Sequence, residues 1–266
     1  MNRRDPIGIL LKIWMGVIIF FLFVPIFVVA LYSFNDGRVL FIWEGFSTFW
    51  YGAVFDNHRI LNTLDTSVRA ALLNVCISVF LGTLAGVAMA RNQGVWNRPF
   101  ALLVGLALVT PELVSAIGQV IWYNNIGVNN GLFRLAIGHS LFNTALVAVI
   151  VKARAEGISE TLEEAAGDLG APPWRSYLQI TMPLMMPAVI AGALLSFTYS
   201  FDNVIVSLFV QRPGSSSLPV YILSSFKAGL RGDVAAVVVM ALGVTLILAV
   251  VAAILLRKSA RPNSSI

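Results

Sequence analysis

The chain has 266 residues, of which 58% are hydrophobic and 12% charged, with a formal net charge of +5 and a mean hydropathy of +0.84. A soluble globular domain carries charge on about a quarter of its residues, so this composition describes an integral membrane protein with no room for a soluble catalytic domain. The basic residues gather beside apolar runs, as inside-positive topology requires, and form no stripe of the kind that binds nucleic acid.

Arg3, Arg4 and Lys12 precede an apolar run over 13–32, too long for the core of a secretory signal; it is predicted as an uncleaved first span with its amino terminus in the cytoplasm. Asn35, Asp36 and Gly37 then mix with Trp43, Trp50, Tyr51 and Asp56, turn formers with interface-seeking aromatics. This pattern predicts an outer-face loop carrying a short interfacial helix. A second span is predicted over 66–90, with Gly82 and Gly86 as a small-xxx-small pair that lets helices approach closely. Just inside it, Arg69 can pair with Asp65 one turn earlier.

After a basic turn over 91–98, Pro99 opens a third span over 99–120. Residues 124–130 form an outer loop, and a fourth span over 137–151 ends on Lys152 and Arg154. His139 opens that span near Asn143 and is expected to make a satisfied interhelical hydrogen bond, not a proton relay. The fifth apolar region, 183–210, exceeds one straight crossing and is interrupted by Thr198, Ser200, Asp202 and Asn203, which predicts a bend or break near its middle.

Residues 212–217 form a turn-rich outer loop. Leu218, Tyr221, Ile222, Ser225, Phe226 and Gly229 then recur at helical spacing as a short surface helix. The last span, 234–256, is followed by Arg257, Lys258 and Arg261, with a disordered tail expected after Pro262. The prediction is thus an all-α membrane protein, a single domain over 1–266 with six transmembrane helices. Eleven of the 18 Lys and Arg fall on the cytoplasmic side of this scheme (3, 4, 12, 91, 98, 152, 154, 175, 257, 258 and 261), which leaves seven outside and places both termini in the cytoplasm. Cys76 is the only cysteine, so an intrachain disulfide is impossible, and with only His58 and His139 no histidine or cysteine metal site is expected.

The most distinctive stretch is polar and lies between Gly157 and Pro183. Ile158, Leu162, Ala165, Ala166 and Leu169 fall on one helical face, with Glu160, Glu163, Glu164 and Asp168 around the rest. The acids suit the positive end of the helix dipole. Gly170 can supply the left-handed residue that ends the helix, and Pro172 and Pro173 prevent its continuing. From Trp174 a second short helix, with Tyr177, Leu178 and Met182 apolar, leads into Pro183. The expected product is a helix, a tight turn and a second helix at the cytoplasmic face.

The spacing here is Glu164-Ala165-Ala166, three residues, Gly170, nine residues, Ile180, one residue, Met182-Pro183. It resembles the EAA loop of the permease subunits of ABC importers, departing in Met182 where leucine is usual. The likeness covers nearly the whole chain. The Pro111-Glu112 pair, the region from Leu194 to Val210, Pro213-Gly214 and Leu218-Pro219 look most like the second permease subunit of spermidine/putrescine importers, although those commonly carry two adjacent acids where this chain has Asp202-Asn203.

The resemblance implies the type I importer permease fold, with 157–182 as a cytoplasmic coupling loop and Glu164, Ala165, Ala166, Asp168, Gly170, Ile180 and Pro183 as the ATPase-coupling residues. It further implies two copies of a cytoplasmic ABC ATPase, which hold ATP and Mg, a second homologous permease, and an external solute-binding protein. This chain would bind no cofactor of its own, and it has no GxxxxGK[ST] phosphate loop.

Glu112 and Asp202 sit within apolar spans, where an ionised carboxylate costs about 3 kcal/mol or more unless it faces a cavity or a partner. Lining a route for a polyamine, they would replace lost hydration with charge-assisted hydrogen bonds, and Trp122, Tyr123 and Tyr199 could add cation–π contacts. In the competing reading, Asp202 with Asn203 satisfies backbone groups at a helix break and Glu112 caps the turn after Pro111. A membrane enzyme is disfavoured because neither histidine sits in a triad motif. Cargoes such as iron, thiamine, sulfate, phosphonate or a sugar would fit the same coupling loop, and an ion-coupled carrier would have no need of one.

Overall fold

The computed structural model describes residues 6–37, 42–92, 94–229 and 231–260. Arg3, Arg4 and Arg261 of the charge count, and the tail after Pro262, lie outside the described residues. Apart from one isolated bridge between Asn35 and Phe46, secondary structure among the described residues is helical. The helices are α1 (Pro6–Tyr32), α2 (Phe49–Asp56), α3 (His58–Arg91), α4 (Asn97–Val109), α5 (Glu112–Asn125), α6 (Gly131–Ala155), α7 (Thr161–Asp168), α8 (Pro173–Ser176), a π-helical turn (Tyr177–Thr181), α9 (Met182–Phe201), α10 (Ile205–Val210), α11 (Leu218–Ala228) and α12 (Gly232–Ala260).

Five helical runs are long and apolar enough to cross a membrane: Ile7–Tyr32, His58–Arg91, Gly131–Glu156, Pro173–Phe201 and Gly232–Arg257. The sixth candidate is the pair α4 and α5, which meet at a bend of 103° where the sequence predicted one span over 99–120. The cause is Pro111. Its ring disfavours the helical region for the residue before it, and Thr110 accordingly has ψ 128, as does Pro111 itself. Pro111 lies inside an apolar run, and hydropathy alone does not register the break.

Other boundaries moved outward. α6 begins at Gly131, not 137, because the Asn130 side chain caps it by accepting from Leu132 N and Phe133 N. α3 begins at His58, not 66. The second short helix expected before Pro183 is continuous with the next span: α8, the π turn and α9 form one run. The widened turn lies just upstream of Pro183, whose ring would collide with the carbonyl four residues earlier in a regular helix. The break expected in the fifth region falls after Phe201, and α10 follows from Ile205.

Contacts group the chain into two compact units: Met1–Leu61 with Ile222–Gly243, and Asn62–Tyr221 with Val244–Ile266. In the first, α1 buries none of its most apolar window, leaving its side chains outward on all faces. Asn35 organises the following loop. Its Nδ2 donates to Ile42 O at 2.7 Å, its Oδ1 accepts from Glu44 N at 2.8 Å, and its carbonyl accepts from Trp50 Nε1 at 2.9 Å. This holds α2, the short helix the aromatics predicted. Buried Asp233 accepts from Asn57 Nδ2 at 2.9 Å and Arg231 Nη2 at 2.8 Å.

In the second unit, α3, α6 and α9 share a core that includes Val147, Val151, Ile158, Met185 and Val189. Gly82 and Gly86 make the close approach of α3 to α6 possible: a Cβ on Gly82 would lie 2.7 Å from Val147 Cβ, and one on Gly86 would lie 2.6 Å from Ala148 O. A buried amide network crosses the same helices. Asn74 Nδ2 donates to Ser196 O at 3.1 Å and to Ser196 Oγ at 3.0 Å, while Asn143 Nδ2 donates to Asn74 Oδ1 at 3.2 Å. Away from water, such bonds add specificity that apolar packing alone does not provide.

Candidate functional site

Two helix breaks meet inside the second unit. Glu112 is the first residue of α5, directly after the α4–α5 bend, and Asn203 lies in the gap between α9 and α10. Asn203 Nδ2 donates to Glu112 Oε1, while Asn203 Oδ1 accepts from Ser207 N at 3.2 Å and so caps the first turn of α10. One side chain thereby satisfies a break and ties it to the other.

Glu112, Thr110, His139, Asn143, Tyr199 and Asn203 are among the residues lining a cavity of about 290 Å³. Glu112, Tyr199, Asp202 and Asn203 also line an adjoining groove of about 390 Å³. Four predicted path residues are thus brought together by breaks 91 residues apart in sequence. Of the competing capping reading, Asn203 alone makes a bond to backbone at the break; no cap bond from Glu112 closes the turn after Pro111, and Glu112 and Asp202 border open space.

The other two predicted path residues go elsewhere. Trp122 lines a largely apolar groove with Leu103, Val104, Leu141 and Ala145. Tyr123 is 1% exposed, and its ring is covered by the Arg134 guanidinium at 5.6 Å from the centroid, so it has no face to offer a cargo in this conformation. Arg134 is itself committed, donating to Val128 O at 2.6 Å and Asn124 Oδ1 at 2.6 Å.

His139 makes the interhelical hydrogen bonds expected of it, with partners other than Asn143: Nδ1 pairs with Ser200 Oγ at 2.7 Å and Nε2 with Ser207 Oγ at 3.0 Å. Those serines stand on either side of the α9–α10 break, so the imidazole clamps it. Replacing His139 with Leu leaves two buried hydroxyls without that partner, at about 1–3 kcal/mol each. A fall of several degrees in melting temperature is expected for the purified chain. Arg69 and Asp65 form the expected pair at 2.8 Å, exposed and therefore of small energetic weight.

On the polar stretch, Glu164, Ala165, Ala166 and Asp168 lie in α7. Gly170 has φ +84, and the helix ends in the paired bonds of a Schellman turn, Ala171 N to Ala166 O at 2.9 Å and Gly170 N to Gly167 O at 2.8 Å. Ile180 lies in the π turn and Pro183 in the first turn of α9. The expected apolar face is divided: Ile158, ahead of the helix, is 6% exposed and packs into the core, whereas Leu169 is 90% exposed, with Leu162, Trp174 and Leu178 also outward. The segment thus presents apolar side chains away from its own core.

Sequence reasoning passed over the contacts that hold α7 in place. Arg91 Nη2 meets Glu163 Oε1 at 3.2 Å, Arg91 Nη1 meets Glu160 Oε1 at 3.3 Å and donates to Ile158 O at 3.1 Å, and Thr181 Oγ1 donates to Glu163 Oε1. A basic span end and an acidic loop were both legible, but with Arg91 and Glu163 72 positions apart their pairing was not.

Residues 78–261 match the protein family described as "Binding-protein-dependent transport system inner membrane component". The chain is 32% identical over 252 residues to the spermidine/putrescine transport system permease protein PotC of Escherichia coli K12, covering 94% of this chain and 95% of that one. It is 32% identical over 230 residues to the putrescine transport system permease protein PotI of the same organism, covering 84% and 82%. Among solved structures it is similar to a bacterial ABC transporter involved in the import of alginate, with TM-score 0.70 at 17% identity over 98% of this chain and 99% of that one. That likeness and the helices described above correspond to the type I importer permease fold. The chain belongs to the binding-protein-dependent transport system inner membrane components: it is a multi-pass permease subunit of an ABC importer, not an enzyme.

Proposed function

We propose that this permease forms half of a translocation path for polyamines and is driven by a cytoplasmic ATPase that docks on residues 157–182. The observation that carries the cargo is the convergence of Glu112, Asp202, Asn203 and Tyr199 on one cavity and groove at two helix breaks. Carboxylates at a break, where irregular backbone lines a cavity, suit a polycationic solute that must shed water. The polyamine permeases among its relatives support the same reading.

The outward apolar residues of the 157–182 segment, Leu162, Leu169, Trp174 and Leu178, supply the surface for an ATPase subunit. Two such subunits hold ATP and Mg, a second homologous permease completes the path, and an external solute-binding protein delivers the cargo. Both termini and α7 then lie on the cytoplasmic side, in keeping with the Lys and Arg distribution. Closure of the ATPases on ATP moves the docked segments and switches the paired permeases between inward-open and outward-open states.

The test is uptake of radiolabelled putrescine and spermidine by the assembled importer carrying Glu112→Gln or Asp202→Asn. Losing a charge-assisted hydrogen bond costs about 1.5–3 kcal/mol, so KM for uptake is expected to rise roughly 10- to 100-fold at normal expression. Unchanged KM in both variants overturns the polyamine path. Uptake of an uncharged solute with no uptake of polyamines replaces the cargo and leaves the docking reading in place.

A further inference from the structure

We infer that Glu163 is a positioning residue: with Arg91 and Thr181 it forms the joint that carries movement of α7 into α3 and α9. The inference rests on the docking reading above, and it concerns a contact internal to this chain, away from the outward surface an ATPase would meet.

The need for such a joint follows from the local chain. α7 is connected to α6 through Gly157 and to the helical run starting at Pro173 through Gly170, which is at φ +84. Both connections interrupt the helical backbone at a glycine, so α7 is not a rigid continuation of either neighbouring helix. Side-chain contacts must therefore carry any force from α7 into the membrane-spanning helices.

The Glu163 carboxylate is placed for that task. Its Oε1 takes both the Arg91 Nη2 contact at 3.2 Å and the Thr181 hydroxyl. Arg91 is the last residue of α3, and Thr181, fully buried, ends the π turn that leads into α9. The second Arg91 nitrogen is held by Glu160 Oε1 at 3.3 Å and Ile158 O at 3.1 Å, which fixes the plane of the guanidinium. Ile158 in turn packs beside Val151, Met185 and Val189. With the Arg91 side chain 19% exposed and that of Glu163 33% exposed, the contact is sheltered, unlike a surface pair whose geometry water loosens. The π turn is consistent with the same role, since such widened turns are frequent at functional sites.

Glu163 thus differs from its neighbour Glu164. Glu164 is exposed on α7, whereas Glu163 turns inward and binds two spans at once.

The experiment uses the importer assembled with its ATPase subunits and partner permease, in a Cys76→Ala background with Tyr199→Cys as a reporter in the cavity wall. Labelling of this chain by a water-soluble maleimide is followed with and without ATP, a readout that needs no cargo. In the parent, ATP is expected to change the labelling rate. Glu163→Ala is expected to keep ATPase co-purification and hydrolysis within about twofold while the ATP-dependent change falls at least fivefold. Glu163→Gln, whose amide oxygen still accepts from Thr181 and Arg91, should recover part of the response, and Thr181→Val should lose part of it.

A full ATP-dependent change in Glu163→Ala overturns the inference and leaves docking intact. Loss of co-purification in both Glu163→Ala and Thr181→Val also overturns it, because the residues then serve assembly and not transmission. An ATPase that fails to co-purify with the parent removes the docking reading and this inference with it.

Discussion

Gly86→Val is expected to abolish most of the folded protein, and Gly86→Ala to lower its stability by about 1–3 kcal/mol, the usual cost of forcing extra atoms into a packed interior. The side chain would have nowhere to go: a single Cβ lands 2.6 Å from Ala148 O, 2.8 Å from Val151 Cβ and 3.0 Å from Lys152 N. Two of those neighbours are backbone atoms of α6, so relief requires moving the helix and not a rotamer. The usual gain of about 1 kcal/mol for alanine over glycine within a helix offsets part of this cost for Ala, while the branched side chain of Val adds to it. Gly105→Ala is the matched control, since nothing lies within 4 Å of its Cβ position, and it should melt at or above the parent temperature. The check is thermal melting and monodisperse yield of the purified chain in detergent. A Gly86→Ala protein as stable as the parent would show that α3 and α6 are not packed as described.

Gly170→Val should separate ATP hydrolysis from transport without preventing membrane insertion. At φ +84 a β-branched residue is strained by about 1–3 kcal/mol, enough to replace the Schellman turn with another local conformation. Leu169, 90% exposed at that turn, would then point elsewhere, and the outward apolar surface with Trp174 and Leu178 would lose its shape. A Cβ on Gly170 meets nothing within 4 Å, so the expected defect is conformational and not a collision at that atom. Uptake per ATP hydrolysed by the assembled importer is expected to drop at least tenfold, with the chain still inserted and melting within a few degrees of the parent. Gly170→Asn, which tolerates the left-handed region better, should retain more activity than Gly170→Val. Coupled transport at the parent level in Gly170→Val would count against docking through this turn.

Much of the candidate site was legible because it was local. Gly170 followed by Pro172 and Pro173 announces a helix stop, and the polar residues at 198–203 announce a break, since each depends on backbone preferences within one turn. Glu112 and Asp202 stood out because a carboxylate in an apolar run needs a reason. What stayed hidden depended on which segments meet. Trp122 and Tyr123 read as aromatics beside the path, yet both border a largely apolar groove that neither carboxylate lines, and Arg134 covers the Tyr123 face. Glu163 reads in sequence as one more acid on a solvated helix, and only the fold sets Arg91 and Thr181 against it.

By itself the sequence determined the class of protein, the approximate places of its apolar helices and the helix–turn–helix of the polar stretch over 157–182, because hydropathy, proline, glycine and capping residues act over a few neighbouring positions. Only the tertiary structure decided that the break after Phe201 faces the bend at Pro111, that Asn203 joins them, and that Arg91 reaches Glu163. Those pairings join segments whose separation in the chain carries no record of their distance in space.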